Sequence, residues 1–367
     1  MSGGVDSSVT AGILKDKGYN VVGVHLRCWN VDGCAQQDAE DARRAAETLG
    51  IPFYVFDFEK EYRQKVVDYM VKGYKSGITP NPDVMCNQEI KFGMFYKRAM
   101  ELGADYVATG HYVRLRTLRV HPVSPRELRP ILKLAMANWV TAQGSHALYA
   151  AKDGDKDQSY FLWTLTQQQL AHCLFPLGDL IKKTDVRRLA KKYKLPNAEK
   201  KDSQGICFLG QVSLPEFLDQ FIPSRAGIIV NTTGKQIGNH KGSHYFTIGQ
   251  RRGLGVGGSA TPLYVAAKDI KKNIVTLAPE GDDSLYSKQI TLTGMNFITP
   301  SLKIRNSKLE IPVLARVRYR QPLFPATLKG KTIVFSKPQK FVAIGQSAVF
   351  YDKRGCMLGG GIIVSVK

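Results

Sequence analysis

The sequence predicts an α/β N-terminal domain, with a parallel sheet and helices on both of its faces, followed by two small β-rich domains, the last a β-barrel. Three observations predict this order. Strand-like and helix-like segments alternate in the first half, a Gly- and Ser-rich loop opens the chain, and short Val/Ile runs between turn residues dominate from residue 223 onward. We place the domains at 1–214, 215–284 and 285–367.

The opening loop, SGGVDSS at 2–8, predicts a pyrophosphate-binding site. Two glycines let the backbone aim several N–H groups at one point, and the serines add hydroxyl donors. A helix over 9–17 should follow, and its N-terminus favours an anion, against which Asp6 can hold Mg²⁺. The loop lacks the GK[ST] ending of a Walker loop. The structural alternative is a turn that merely caps the helix.

The alternation of elements places possible ligand contacts at one edge of the sheet. Strands are expected at 21–26, 53–58 and 105–109, and helices at 36–50, 60–75, 87–102, 166–175, 184–194 and 214–221. Ligands bind beyond the carboxyl ends of such strands, where the opening loop, Leu26, Gly110 and His111 fall. Residues 117–145 are interpreted as an insertion. The β-rich half has predicted strands at 227–230, 263–267, 273–277, 313–319, 332–335, 347–351 and 361–366.

The charge of the chain indicates a polyanionic partner. Lys and Arg number 52 against 31 Asp and Glu, a net charge of +21 that is spread along the sequence, which favours a broad nucleic-acid footprint. No apolar run is long enough to span a membrane and no secretory signal pattern is present, so a cytoplasmic protein is expected. The six cysteines form no CxxC pair, which favours free thiols over a zinc site.

Eight motifs in order give the chain a specific resemblance. They are SGGVDSS at 2–8, TPNPDVMCNQEIKFG at 79–93, ATGHY at 108–112, KDQSYFL at 156–162, KDSQGICFLG at 201–210, TIGQRRGLGVGG at 247–258, VRYRQ at 317–321 and GQSAVFYDKRGCMLGGGII at 345–363. The chain resembles the tRNA-specific 2-thiouridylases of the PP-loop ATP pyrophosphatase group. That family converts the wobble uridine of certain tRNAs to 2-thiouridine.

The resemblance implies a role for each matching residue. The implied ATP site comprises Met1, Ser2, Gly3, Gly4, Val5, Asp6, Ser7, Ser8, Leu26 and Gly110. The target base would meet Asn81, Pro82 and Asp83, and the catalytic residues would be Cys86, Cys207 and Asp83. Contacts to tRNA would come from His111, Lys156, Asp157, Gln158, Arg318, Tyr319 and Gln346. The implied partners are ATP, Mg²⁺, tRNA and a persulfide-donating relay protein or cysteine desulfurase.

These residue types suit the chemistry. Adenylation would turn the C2 oxygen of uridine into a leaving group, and a persulfide on Cys207 would deliver sulfur with the help of the Cys86 thiol. A helix N-terminus at Asn87 and the nearby Lys91 should lower the pKa of Cys86. Asp83 could move a proton to or from the base.

Several alternatives stay open at this point. The chain could be another PP-loop adenylating enzyme, such as an amide-forming synthetase or a tRNA lysidine synthetase, or a non-catalytic RNA-binding module. Cys86, Cys207 and Asp83 could instead hold an iron–sulfur cluster. The two cysteines could be core residues, Asp83 could cap the helix, and the implied tRNA contacts could be structural. Met1 directly precedes the loop where the family has an apolar strand, so we expect an upstream extension.

Overall fold

The computed structural model describes residues 1–29, 34–118, 145–201, 212–258, 261–298 and 310–367. Within these ranges the α-helices are Val5–Asp16 (α1), Cys34–Leu49 (α2), Glu59–Tyr62 (α3), Asp68–Lys75 (α4), Pro82–Met85 (α5), Tyr96–Glu101 (α6), Gln167–Ala171 (α7), Arg187–Lys192 (α8) and Leu214–Asp219 (α9). Three π-helical stretches, Arg63–Val67, Cys86–Phe95 and Lys182–Val186, adjoin α3, α5 and α8. None of the described helices is long and apolar enough to cross a membrane.

The N-terminal domain contains two parallel strand pairs. Strands β1 (Gly23–Arg27) and β2 (Phe53–Asp57) pair in parallel, as do β3 (Val107–Ala108) and the short strand Cys173–Leu174 (β6). Strands β4 (Val113–Thr117) and β5 (His146–Ala150) form an antiparallel hairpin. Buried residues of α1 and α2 share one core with residues of α8. Of the predicted insertion at 117–145, only the ends fall within the described ranges.

The helix that carries Cys86 begins five residues earlier than the sequence analysis predicts. It begins at Pro82, with Asn81 as its N-cap, rather than at Asn87. The Asn81 side-chain oxygen accepts a hydrogen bond from Val84 N (3.2 Å), and proline is favoured in the first turn because it has no N–H to leave unpaired. The prediction of a helix N-terminus at Asn87 is therefore wrong, and Cys86 lies inside the helix.

The central domain is a four-stranded sheet. Its strands are Gly227–Asn231 (β7), Gln236–His240 (β8), Leu263–Asp269 (β9) and Ile274–Pro279 (β10), in the order β8-β7-β10-β9. Strand β10 runs parallel to β7 and antiparallel to β9. Buried side chains of Ile229, Val265 and Val275 form its core.

The last domain is a closed six-stranded antiparallel barrel, which confirms the predicted fold class. Its strands are Tyr286–Phe297 (β11), Glu310–Arg316 (β12), Phe324–Lys329 (β13), Thr332–Lys340 (β14), Ser347–Tyr351 (β15) and Met357–Val366 (β16), in the order β11-β14-β13-β12-β15-β16. Every residue of β15 is buried. Ala348 and Phe350 face the barrel core, whereas Val349 and Tyr351 pack with Tyr160 of the N-terminal domain, as the alternation of side chains along a strand requires.

Candidate active site

The opening loop is held in shape by its own hydroxyl groups and by α2. The Ser7 hydroxyl accepts a hydrogen bond from Ser2 N (3.0 Å) and donates one to the Gly4 carbonyl oxygen (3.1 Å). Gly3 has a φ of +74°, and a Cβ there would lie 2.4 Å from the carbonyl oxygen of Asp38. Position 3 therefore requires glycine both for its backbone angle and for its close approach to α2.

The loop leads directly into α1, so backbone N–H groups and a helix N-terminus face the same side. Gly4 is the N-cap, and no side chain caps the first turn, which leaves its N–H groups for an anion. Behind the loop, the Asn197 amide donates to the Gly3 carbonyl oxygen (2.9 Å) and to the Ser8 hydroxyl (3.0 Å). Val5 is buried in the core behind the loop.

A buried lysine that the sequence analysis missed pairs with the carboxylate of the loop. Lys182 Nζ lies 2.8 and 2.7 Å from the two carboxylate oxygens of Asp6, and the Tyr112 hydroxyl donates to Oδ1 (2.7 Å). The Lys182 side chain is 5% exposed and that of Asp6 is 31% exposed. The sequence shows Lys182 only as half of a Lys-Lys pair, and nothing local distinguishes it from exposed Lys183.

The other implied ATP contacts differ in how they relate to this loop. Gly110 packs directly against it, because a Cβ there would lie 2.9 Å from the Asp6 carbonyl carbon. Met1 packs with the same core as Val5. Leu26, at the end of β1, packs against the apolar cluster that contains Cys86.

The residues implied to meet the base lie at the start of the Cys86 helix. Asn81 and Pro82 are buried and Asp83 is half-buried. The Asn81 side chain is also hydrogen-bonded to the Tyr160 hydroxyl, so it is fixed from two sides. Asp83 is on the first turn, one turn before Cys86.

Cys86 opens the π-helical stretch Cys86–Phe95 and is buried. Burial raises the pKa of its thiol, while the Lys91 charge and a hydrogen bond with Tyr62 act in the opposite direction and the Asp83 charge adds to the rise. The expected lowering of the Cys86 pKa is therefore wrong for this conformation. Lys91 does act as expected, but desolvation outweighs it, and the helix N-terminus lies four residues upstream at Pro82.

Cys207 lies outside the described residues, so its distance from Cys86 is not defined. The described flanks of its segment lie at the site. Lys200 Nζ contacts Asp38 (2.7 Å) and Asp41 (2.5 Å) on α2, beside the loop. On the other flank, Val212 packs against the cluster that contains Cys86. Cys86, Cys173 and Cys356 are free thiols.

Two of the residues implied to contact tRNA are buried in the N-terminal domain. The His111 ring packs against the rings of Phe92 and Phe175, and its Nδ1 is 2.8 Å from the Thr109 hydroxyl. Burial holds the pKa of His111 well below the usual value. Asp157 accepts hydrogen bonds from Ala151 N (3.0 Å) and from the buried Arg316 guanidinium of β12 (2.6 Å).

The remaining implied tRNA contacts lie partly within the N-terminal domain and partly between domains. The Gln158 side chain accepts from Tyr112 N (3.0 Å), and Lys156 is half-buried beside it. The Arg318 guanidinium donates to the Ile248 carbonyl oxygen of the central domain, and the Tyr319 ring packs on Phe161 at 4.5 Å. Gln346 donates to the carbonyl oxygens of Thr79 (3.0 Å) and Pro80 (3.1 Å). Arg318, Tyr319 and Gln346 thus join domains, and contact of any of these side chains with RNA stays a prediction.

The donor atoms of the loop fit a magnesium ion held mainly by phosphates. Mg²⁺ keeps several waters and usually takes one or two carboxylates together with substrate phosphates. Asp6 is the one carboxylate of residues 2–8 and is partly exposed, although Lys182 already balances its charge. Among the residues the structure describes, no three His, Cys, Asp or Glu side chains form a metal-binding group, and the iron–sulfur alternative gains no support.

Three protein-family models together match almost the whole chain. The family model described as tRNA methyl transferase HUP domain matches residues 1–211, the tRNA methyl transferase PRC-barrel domain 215–279, and the aminomethyltransferase beta-barrel domain 287–363. A tRNA-specific 2-thiouridylase MnmA of Christiangramia forsetii is 39% identical, covering 99% of this chain and 98% of its own.

Two further relatives carry the same name. The chain is 41% identical to tRNA-specific 2-thiouridylase MnmA 2 of Geobacillus kaustophilus, over all of this chain and 94% of that one. It is 42% identical to tRNA-specific 2-thiouridylase MnmA of Lactobacillus delbrueckii subsp. bulgaricus, over all of this chain and 95% of that one. The chain belongs to the tRNA-specific 2-thiouridylase family. These matches confirm the resemblance inferred from the motifs.

Proposed function

We propose that this chain converts the wobble uridine of tRNA to 2-thiouridine, using ATP to activate the C2 oxygen and a cysteine persulfide as the sulfur source. One observation carries the proposal: in a member of the 2-thiouridylase family, the opening loop at 2–8 and the helix that begins at Pro82 and carries the buried Cys86 thiol belong to one domain. The net charge of +21 suits a tRNA partner.

In the first step the C2 oxygen of uridine attacks the α-phosphorus of ATP and pyrophosphate leaves. The base loses its N3 proton, which Asp83 would accept and return when 2-thiouridine is released. The product is a uridine whose C2 oxygen is part of AMP. The N–H groups at the start of α1 and the Ser2 and Ser7 hydroxyls would hold the departing pyrophosphate. Mg²⁺ bound to the phosphates would neutralise their charge, with Asp6 as a protein ligand.

In the second step the outer sulfur of a Cys207 persulfide attacks C2 and AMP leaves. The Cys86 thiolate then attacks the inner sulfur, which is the Cys207 Sγ. The bond between the two persulfide sulfurs breaks, its electron pair stays on the sulfur bound to C2, and 2-thiouridine is released. A Cys86–Cys207 disulfide remains, so an external thiol must reduce it before a relay protein or cysteine desulfurase supplies the next sulfur.

Chain length permits the required meeting of the two thiols. Val212 packs against the cluster that contains Cys86, and Cys207 lies five residues before it. Five residues of extended chain span at most ~18 Å, a reach that would allow the required approach. The opposite flank is tied through Lys200 to Asp38, whose carbonyl oxygen lies against Gly3 of the loop.

The test is nucleoside mass spectrometry of tRNA incubated with the full chain, ATP, Mg²⁺ and a persulfide donor. We expect 2-thiouridine, together with one AMP per modified base. Cys207→Ser should abolish thiolation but keep tRNA-stimulated release of pyrophosphate, while Cys356→Ala, a change at a cysteine outside the site, should keep both. Formation of 2-thiouridine by Cys207→Ser would contradict the persulfide on Cys207. In the wild-type chain, ATP cleavage without 2-thiouridine would favour a different adenylating enzyme, and the absence of ATP cleavage would favour an RNA-binding module.

A further inference from the structure

A turn of the C-terminal barrel holds the backbone that precedes residues 81–83, which are implied to meet the target base and are called the base motif below. The Gln346 amide donates to the carbonyl oxygens of Thr79 (3.0 Å) and Pro80 (3.1 Å). In the opposite direction, Thr79 N donates to the Ile344 carbonyl oxygen (2.9 Å). Three hydrogen bonds therefore connect the turn 344–346 to the two residues immediately before Asn81.

The fit of this turn depends on a glycine. Gly345 has a φ of +92°, and a Cβ there would lie 2.8 Å from the Thr79 carbonyl oxygen and 3.2 Å from the Ile78 Cβ. Position 345 therefore resembles position 3 of the loop, where backbone angle and close approach both require glycine. No other residue type lets the barrel approach residues 78–79 this closely.

The turn is itself fixed to the barrel wall. Gly345 N donates to the Ile363 carbonyl oxygen (2.9 Å), and Ile363 N donates to the Gln346 carbonyl oxygen (2.8 Å). Ile363 is a fully buried residue of β16. A displacement of the barrel therefore displaces residues 79–80, and with them the first turn of the Cys86 helix.

The backbone carbonyl groups of residues 79–80 depend on the Gln346 amide for hydrogen bonds. Thr79 is buried, and its carbonyl oxygen and that of Pro80 would lose the Gln346 donor if the turn moved away. Unpaired buried carbonyl groups cost free energy comparable to a lost hydrogen bond. Loss of the Gln346 donor should therefore loosen residues 79–83 without unfolding either domain.

We propose that Gln346 and Gly345 are positioning residues. The barrel turn 344–346 holds residues 79–80 in place through hydrogen bonds, a contact called the clamp below, and thereby fixes the positions of the base motif and of Cys86. This inference rests on the proposed function for the role of residues 81–86. It differs from a direct contact of Gln346 with tRNA, because the Gln346 amide acts through the protein backbone. It also couples the barrel to catalysis, since RNA bound to the barrel would act on the base motif through this turn.

The test compares Gln346→Glu, which keeps the shape but replaces the donor by a carboxylate, with the wild-type chain. Hydrogen exchange of the peptide covering residues 78–86 should become faster, while exchange in the loop at 2–8 stays unchanged. The kcat of thiolation should fall roughly tenfold, the effect of one lost buried hydrogen bond, with an unchanged KM for tRNA. Gly345→Ala should act in the same way and serves if Gln346→Glu folds poorly.

Gln236→Glu is the matched control, because it makes the same chemical change at an exposed position of β8, outside the site. It should alter neither exchange nor kcat. The clamp is contradicted if Gln346→Glu and Gly345→Ala leave exchange at 78–86 unchanged, or if they raise the KM for tRNA at constant kcat, as a direct RNA contact would. If the wild-type chain makes no 2-thiouridine, the proposed function fails, while the exchange data still decide the clamp.

Discussion

Lys182 forms an ion pair with Asp6 of the opening loop, in which the lysine Nζ lies 2.8 and 2.7 Å from the two carboxylate oxygens. Lys182 belongs to the π-helical stretch Lys182–Val186, and its ammonium group contacts the opening loop through Asp6. The pair is closed to solvent on the lysine side and partly open on the aspartate side. An incoming triphosphate therefore meets a neutralised Asp6 rather than a bare carboxylate.

The first prediction concerns this pair. Lys182→Gln removes the buried cation and leaves the Asp6 charge facing the phosphates, so the affinity for ATP should fall roughly tenfold or more, the scale of one charge-assisted hydrogen bond. Titration calorimetry with ATP measures it. Lys183→Gln removes an equal charge from an exposed neighbour and should bind ATP as the wild type does. Equal affinities in the two variants would refute the role of Lys182.

The second prediction concerns the backbone of the loop. Gly3→Ala places a Cβ against the Asp38 carbonyl oxygen at a positive φ, so it should abolish measurable ATP binding. Gly18→Ala is the control: its φ is +84°, but no atom lies within 4 Å of the added Cβ. It should cost ~1 kcal/mol of stability from backbone strain alone and leave ATP binding intact. Normal ATP binding by Gly3→Ala would contradict the geometry of the loop.

The third prediction concerns the pH dependence of Cys86. Because burial raises the pKa of its thiol, the thiolate is lost as pH falls and is scarce at neutral pH in the free protein. Alkylation of Cys86 by iodoacetamide, followed by peptide mass spectrometry, should still be accelerating at about pH 9, the upper end of the ordinary thiol range. A plateau in the labelling rate near neutral pH would show an activated thiol and contradict this prediction.

The fourth prediction separates a structural from an RNA-binding role for Asp157. Asp157→Asn leaves the buried Arg316 charge without its counter-ion, so it should lower the free energy of unfolding by ~3 kcal/mol. The exposed Asp155→Asn change nearby should not alter stability. Chemical denaturation measures both, and a gel-shift titration of the folded variants with tRNA should show equal affinities. A stable Asp157→Asn variant with weakened tRNA binding would instead favour the direct contact.

Local signals made the phosphate loop and the element types predictable. The residues of the loop at 2–8 that could bind an anion are consecutive in the sequence. A glycine at position 3 is typical of the positive φ that the backbone has there. The strand at 347–351 was predicted with its observed bounds because its apolar residues are contiguous. Strand β8 was missed because it is largely polar, and β13 because Pro325 sits within it.

Contacts between distant residues were not predictable. Lys182 meets Asp6 only when the N-terminal domain has folded. Arg316 meets Asp157, and Gln346 meets Thr79, only when the barrel packs on that domain, and no spacing in the sequence encodes such pairs. The predicted start of the Cys86 helix was wrong because Asn81-Pro82 is as typical of a turn as of a helix start, where asparagine is the cap and proline fits the first turn. The rise in the Cys86 pKa follows from burial, which tertiary packing alone determines.

Single-turnover transfer of labelled sulfur tests the central claim most directly. The chain is loaded with a persulfide whose outer sulfur is ³⁴S, excess donor is removed, and tRNA is added with or without ATP and Mg²⁺. The account predicts ³⁴S-labelled 2-thiouridine only with ATP, together with a Cys86–Cys207 disulfide in the peptide map. Labelled product formed without ATP, or formed with ATP while both cysteines stay reduced, would contradict it.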